Sequence, residues 1–315
     1  LPLVLVRLSR VGRIVVGTSS WADPGFIKTW YPPGLPARDR LQFYAERYEG
    51  VEVNASFYAV PEVKTVQRWA QITPPDFTFD VKLHRLLSRH AAPIESLPPD
   101  LRDLAEVTPR GRAMLSEELE EAMVGAVRAA IAPLDEAGKL SALLLQLSPS
   151  FTPKQHELAE LAPMLGALRP YVVAVEFRHR GWVEGARLET TLRWLEDHDA
   201  AFVCTDSPQG AAPTMMPRVD AVTSSKIAYL RMHGRNAEGY LKGKSVAERF
   251  DWDYADDELR ALAERARGLA EEAGQLRMMF NNNRDDLAPQ AATRMRILLG
   301  QDPGPPPGPP QGALL

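Results

Sequence analysis

Polar side chains able to do chemistry recur in this chain at one kind of place, the end of an apolar run. Residues 172–182 read VVAVEFRHRGW, a β-branched stretch that turns abruptly charged at Glu176, Arg178, His179 and Arg180. In a strand, alternate side chains share a face, so Glu176 and Arg178 point the same way as Ala174. Other runs end alike, with Asn54, with Lys82 and His84, with Gln146, with Asp206, with Arg231 and His233, and with Asn281 and Asn282. If these ends converge, Glu176 is the carboxylate nearest a cationic cluster and is expected to serve as general base or acid. Lys82 and Arg231 are expected to hold an anion and stabilise charge that develops on it. Asn54, Gln146, Asn281 and Asn282 would orient neutral polar groups, and Arg178, Tyr58 and Trp182 would frame the opening. His84, Asp206 and His233 complete the expected binding set.

Convergence requires a particular architecture. Apolar runs consistent with strands fall at residues 14–17, 51–54, 77–84, 140–147, from 172, 201–206, 226–233 and 277–281. Helical spacing follows most of them: residues 38–48, 62–71, 117–132 and 153–168, then Leu188, Leu192 and Leu195, then Leu259, Leu262, Ala266 and Leu269, and last residues 288–299. Alternating strands and helices imply a parallel sheet, and eight such units imply closure into a single-domain α/β (β/α)8 TIM barrel. In such a barrel the carboxyl ends of the strands carry the chemistry. The structural alternative, an open doubly wound sheet, favours a G-x-G-x-x-G loop after the first strand, and TSSWADPG has none. The barrel is expected to span residues 13–300. Residues 1–12 read as an N-terminal extension, and residues 301–315 as a disordered Pro/Gly-rich tail. Residues 85–116, broken by Pro93, Pro98, Pro99 and Pro109, are longer than an ordinary connection and read as a lid or a partly ordered excursion.

The formal net charge of -4 argues against nucleic-acid binding by charge of the whole molecule. The strand ends differ from the body: Lys82, Arg85, Arg178, Arg180, Arg231, Arg235, Lys242, Lys244 and Arg284 lie at or just after them. Such an opening suits a carboxylate or phosphate. Trp21, Phe26, Trp30, Tyr31, Phe57, Tyr58 and Trp182 occupy the same loops, either to stack on a base or sugar or to plug the barrel end. His84, Glu176, Asp206 and His233 are suitable metal ligand types, but the cations among them disfavour one, so no metal and no cofactor is expected. The single cysteine, Cys204, lies in an apolar run and suits a reducing, cytoplasmic compartment. No run reaches the length of a membrane span.

The segments VGTSSW, WYPPGLP, VEVNASFYAVP, VEFRHRGW, YLRMHGR and FNNN together resemble the YecE-like family (domain of unknown function 72), in the family's order across residues 14–299. That resemblance implies a TIM-barrel fold and supplies little mechanism. The functional expectation is an enzyme acting on a phosphate-bearing nucleotide, nucleic-acid or sugar ligand, with phosphodiester or glycosidic hydrolysis as the first reactions to test. The alternatives are a non-catalytic nucleotide or nucleic-acid binding protein and a metal-dependent phosphodiesterase. The expected partner is an anionic small molecule or a nucleic acid, and the sequence leaves the oligomeric state open.

Overall fold

A computed structural model describes residues 12–307. Residues 1–11 of the expected extension and 308–315 of the expected tail lie outside the described residues. Eight parallel strands form one sheet: β1 (Arg13–Thr18), β2 (Gly50–Val53), β3 (Thr78–Lys82), β4 (Leu140–Gln146), β5 (Val173–Glu176), β6 (Ala201–Asp206), β7 (Ile227–Met232) and β8 (Gln275–Phe280). Hydrogen-bonded neighbours run β1-β8-β7-β6-β5-β4-β3-β2, so the sheet curls until its first two strands meet. This is the TIM-barrel-like fold that the alternating pattern predicts.

The β1–β2 seam carries no ladder in that order, and local chemistry closes it. An ideal Cβ on Gly17 would lie 2.2 Å from the Gly50 carbonyl oxygen, so the two backbones approach as only glycine permits. The Tyr44 hydroxyl accepts from the Thr18 amide at 2.9 Å and donates to the Gly50 carbonyl at 3.2 Å. One buried phenol thus stands in for part of a strand ladder.

Parity divides the core into two layers. Ala142, Leu144, Ala174, Ala201, Val203, Ile227, Tyr229 and Met279 pack inside the barrel. Val51, Val53, Phe79, Val81, Leu143, Leu145, Val175, Phe202 and Leu230 face outward under the helices. The principal covering helices are Val63–Ile72, Glu117–Glu136, Ala186–Asp197, Asp256–Ala270 and Leu287–Leu298. Glu117–Glu136 begins where Ser116 caps the Leu119 amide at 3.2 Å and three glutamates occupy the first turn.

Three expectations are revised. The helix over residues 153–168 is shorter: a 3-10 turn, Leu158–Leu161, leads into Ala162–Ala167, with Pro163 in the first turn where a missing N–H costs nothing. The expected leucines still bury their side chains at Leu161, Leu165 and Leu168. The helix over residues 38–48 is a 3-10 turn, Ala37–Asp39, followed by Arg40–Ala45. The segment after β3 is ordered: Ala92–Pro93 pairs antiparallel with Arg112–Ala113, Leu86, Leu87 and Leu97 are buried, and Arg89 reaches Glu120 at 2.6 Å. At the other end, the first tail residues lie on the body. Gln301 donates to the Ile14 carbonyl at 2.8 Å and Arg47 to the Pro306 carbonyl at 3.2 Å.

Candidate functional site

The inward positions of the strands build a polar column in two tiers. In the deeper tier Asp80 accepts from Arg277 Nε at 2.9 Å and from the Tyr229 hydroxyl at 3.1 Å. The same hydroxyl lies 3.1 Å from Glu52, which forks onto Arg231 through Nε at 2.9 Å and Nη2 at 2.6 Å. Arg231 also donates from Nη1 to Glu176 and, at 3.1 Å, to the Gln146 side-chain oxygen. Both ions of each pair are fully buried, so each charge depends on its partner for the solvation it has lost. Burial pushes the Asp80 carboxyl up to about 6 against the pull of Arg277.

The upper tier surrounds Glu176. Its Oε1 accepts from Arg178 Nη1 at 2.8 Å and lies 3.1 Å from His233 Nε2. His233 Nδ1 sits 2.9 Å from the Asn281 amide nitrogen, and Asn283 donates to the Asn281 oxygen at 3.2 Å. An ionised Glu176 can only accept, so Nε2 carries the proton and donates to it, which leaves Nδ1 to accept from the Asn281 amide. Burial holds His233 at about 4, the neutral form this relay needs. Burial alone would raise Glu176, but the Arg231 charge, helped by His233 and Arg178, holds it well below the usual carboxylate range. Glu176 is therefore an ionised hub with both oxygens engaged.

Lys82 is the exception in this column. Its Nζ donates to the Gln146 oxygen at 3.2 Å and lies 4.4 Å from the Phe57 ring centroid, with no carboxylate in ion-pair contact. Burial and the neighbouring Arg231 lower its ammonium to about 7. Arg178, whose charge also bears on Lys82, is tied at 3.3 Å to the Tyr240 hydroxyl, and Asn54, which follows the end of β2 beside β3, has a buried side-chain oxygen without a hydrogen-bond partner. His90 arrives from the segment after β3 and sets its ring edge-on to Phe57 at 5.0 Å. Its Nε2 is buried without a partner, and burial together with Lys82, Arg85 and Arg178 lowers it to about 4. The sequence did not single out His90, which lies in an irregular segment and carries no strand periodicity that would have revealed it.

The structure thus brings together Lys82, Gln146, Glu176, Arg178, Arg231, His233 and Asn281; Asn54 follows the end of the neighbouring strand β2. Four expected members lie elsewhere. Asp206 falls on the outward face of β6, where Thr205 takes the inward parity, and it binds Arg235 at 2.9 Å and the Tyr254 hydroxyl at 2.8 Å. His84 follows the end of β3, so strand parity no longer governs it; it lines a small gap beneath the covering helix, with Val127, Ala130 and Ile131 of that helix and with Ser56, Val81 and Lys82 on the barrel side. Trp182 is buried and stacked on Phe151, donating to that residue's carbonyl at 2.7 Å. Asn282 turns away from Asn281 to donate to the Trp252 carbonyl at 2.9 Å. Tyr58 is 60% exposed near Phe57 and remains at the rim. The deeper residues Tyr229 and Arg277 were not anticipated.

The positive rim is largely neutralised. Arg235 pairs with Asp206 and Glu258, Arg180 with Glu184, Lys242 with Glu238, and Arg284 with Asp251. Phe26, Trp30 and Tyr31 are buried against Tyr44 and Tyr48 and plug the barrel side. Among the described residues no three His, Cys, Asp or Glu side chains are grouped so as to hold a metal ion. Cys204 is buried on the outward face of β6, its thiol pushed up to about 11 by burial. No described helix is long and apolar enough to cross a membrane.

Eight parallel strands with a polar column rising to their carboxyl ends define a TIM-barrel-like α/β protein. The chain belongs to the family described as protein of unknown function DUF72, whose model matches residues 15–313. It is 27% identical over 293 residues to the UPF0759 protein YunF of Bacillus subtilis (strain 168), covering 91% of this chain and 94% of that protein. The crystal structure of a DUF72 family protein from Thermotoga maritima MSB8 superposes with a TM-score of 0.71 at 26% identity, covering 92% of this chain and all of that one (100%). A second, from Enterococcus faecalis V583, superposes with a TM-score of 0.73 at 24% identity over 92% and 99% of the two chains, a likeness of fold.

Proposed function

We propose that the barrel is an enzyme that takes a phosphate-bearing small molecule, a nucleotide or a sugar phosphate, at the carboxyl mouth. Lys82 is the group that meets it. The single observation carrying this reading is that Lys82 alone among the inward cations of the column is held by a neutral amide instead of a carboxylate. An anion entering the mouth supplies the counter-charge that Lys82 lacks, and charge-assisted contacts of this kind are the strong ones. Arg178, Asn54 and the free amide hydrogens of Gln146 offer the further polar contacts. Arg231 acts through Gln146 and Glu176, because its donors are already engaged inside the column.

Hydrolysis of a phosphodiester or glycosidic bond asks Glu176 to exchange a proton with water or a leaving group. That route has less support, since both its oxygens already accept hydrogen bonds from cations or from His233. Binding of a nucleic acid along the rim has less support too, because Arg235 and Lys242 have acidic partners. A cytoplasmic setting fits the buried free thiol of Cys204.

The test is calorimetric titration with inorganic phosphate, a nucleoside 5′-monophosphate and ribose 5-phosphate. Saturable binding at one site that disappears in Lys82→Met supports the reading. Binding that survives K82M unchanged places the anion elsewhere.

A further inference from the structure

Two lysines are buried in this chain, and they are solvated in opposite ways. Lys139 donates to the carbonyl oxygens of Ala70 at 2.6 Å and Thr73 at 2.7 Å and to the Thr73 hydroxyl at 3.1 Å. All three ammonium hydrogens have acceptors, which is what a structural lysine needs. Lys82 is 8% exposed and has one neutral acceptor, Gln146, at 3.2 Å. The other six lysines, Lys28, Lys64, Lys154, Lys226, Lys242 and Lys244, are exposed. Only Lys82 lies at the carboxyl end of an inward strand face, where barrel enzymes place reacting groups.

We propose that Lys82 is a nucleophile that forms an imine with the aldehyde or ketone carbon of a phosphate-bearing carbonyl compound. The inference rests on the anion-binding reading of the mouth and names the substrate class within it: the ammonium form draws the phosphate in, Arg178 and the Gln146 amide hydrogens then hold it, and Lys82, having given up a proton, meets the carbonyl carbon. The neutral amine donates its lone pair to the carbonyl carbon, forming the C–N bond while the carbonyl oxygen takes up a proton. The nitrogen gives up one proton, and the resulting hydroxyl leaves with another as water. The product is an iminium that keeps one N–H and carries the positive charge the ammonium carried before.

The surroundings suit both ends of that sequence. The buried site with Arg231 and Arg178 nearby keeps part of the lysine in its neutral form near pH 7, as nucleophilic lysines require. The iminium charge then lies over the Phe57 face, where the ammonium centre now sits 4.4 Å from the ring centroid. Glu52 and Glu176 favour positive charge at that nitrogen. Their oxygens are committed to Arg231, Arg178, Tyr229 and His233, so neither quenches the amine by direct pairing.

The experiment is reductive trapping. The full chain is incubated at pH 7 with glycolaldehyde phosphate and sodium cyanoborohydride, and the adduct is located by peptide mass mapping. Glycolaldehyde without phosphate and competition by inorganic phosphate run in parallel. The expected result is a reduced adduct on the Lys82 peptide that phosphate suppresses and that is lost in Lys82→Arg and Lys82→Met. Adducts confined to the exposed lysines overturn the inference. Phosphate binding by calorimetry with no Lys82 adduct also overturns it while leaving the anion reading standing. A Lys82 adduct formed equally with both aldehydes and untouched by phosphate keeps the imine and removes the anion.

Discussion

Arg231 and Glu52 face each other across the barrel interior as a two-point fork, Nε to Oε2 at 2.9 Å and Nη2 to Oε1 at 2.6 Å, with neither side chain exposed. β2 and β7 are not neighbours in the sheet, so the pair is a strut across the lumen. Removing one partner strands a charge in a dry interior, a loss of about 3–5 kcal/mol. Glu52→Ala and Arg231→Ala should each lower stability in urea by that order. Arg231→Ala should cost more, because it also abandons Glu176 and the Gln146 oxygen. Equal stability of wild type and E52A would mean that the lumen is wetter than the burial implies.

The seam between β1 and β2 makes a second, independent demand. Tyr44→Phe deletes the hydroxyl that accepts from Thr18 and donates to Gly50, leaving two buried backbone groups unpaired. The cost of such unmade bonds is about 1–3 kcal/mol each. Gly17→Ala is the harsher change, since its methyl would meet the Gly50 carbonyl oxygen at 2.2 Å with backbone on both sides. Thermal melts should order the chains wild type, then Y44F, then G17A. A G17A melting temperature equal to wild type would show that the seam yields freely.

How much of this the sequence could tell depends on parity. Lys82, Glu176, Arg231, His233 and Asn281 converge because each continues an apolar alternation to a strand end, and that pattern is visible in one dimension. Asp206 is different. β6 is apolar on both faces, with Ala201 and Val203 inward and Phe202 and Cys204 outward, so the sequence offers nothing to fix its parity. His84 was assigned by extending β3 two residues past Lys82, where the strand stops. The Asp80–Arg277 and Glu52–Arg231 pairs join residues 197 and 179 positions apart, and no local spacing encodes a contact across a lumen. His90 belongs to an irregular segment whose path follows from leucine burial, not from periodicity.

The Asn283, Asn281, His233 and Glu176 chain fixes a proton on His233 Nε2. His233 is held at about 4, below its ordinary 6.5, by burial. Between those two pH values the unfolded chain binds a proton that the folded chain does not, so this residue makes stability rise with pH across that window. Nitrogen-15 shifts of His233 should show a neutral ring, protonated at Nε2, at pH 7. Asn281→Asp places a carboxylate against Nδ1 and should raise the His233 value by a unit or more, roughly the effect of one adjacent charge. An unchanged His233 titration in N281D would break the relay at its second member.

Lys82 yields the prediction most closely tied to function. Its folded value of about 7 lies below the ordinary 10.5, chiefly through burial. Between those values the unfolded chain binds a proton that the folded one has released, so Lys82 makes stability rise as pH rises through the window. Lys82→Met lacks that rise, and the wild-type minus K82M difference in urea stability should grow more favourable to wild type from pH 7 to pH 10. Anion affinity should move the other way: phosphate needs the ammonium, so its binding weakens as pH climbs past about 7 while reductive trapping of an aldehyde speeds up. These opposed trends distinguish Lys82 from an arginine-based anion site, which keeps its charge over the whole range. Parallel pH profiles for binding and trapping would assign the two events to different groups.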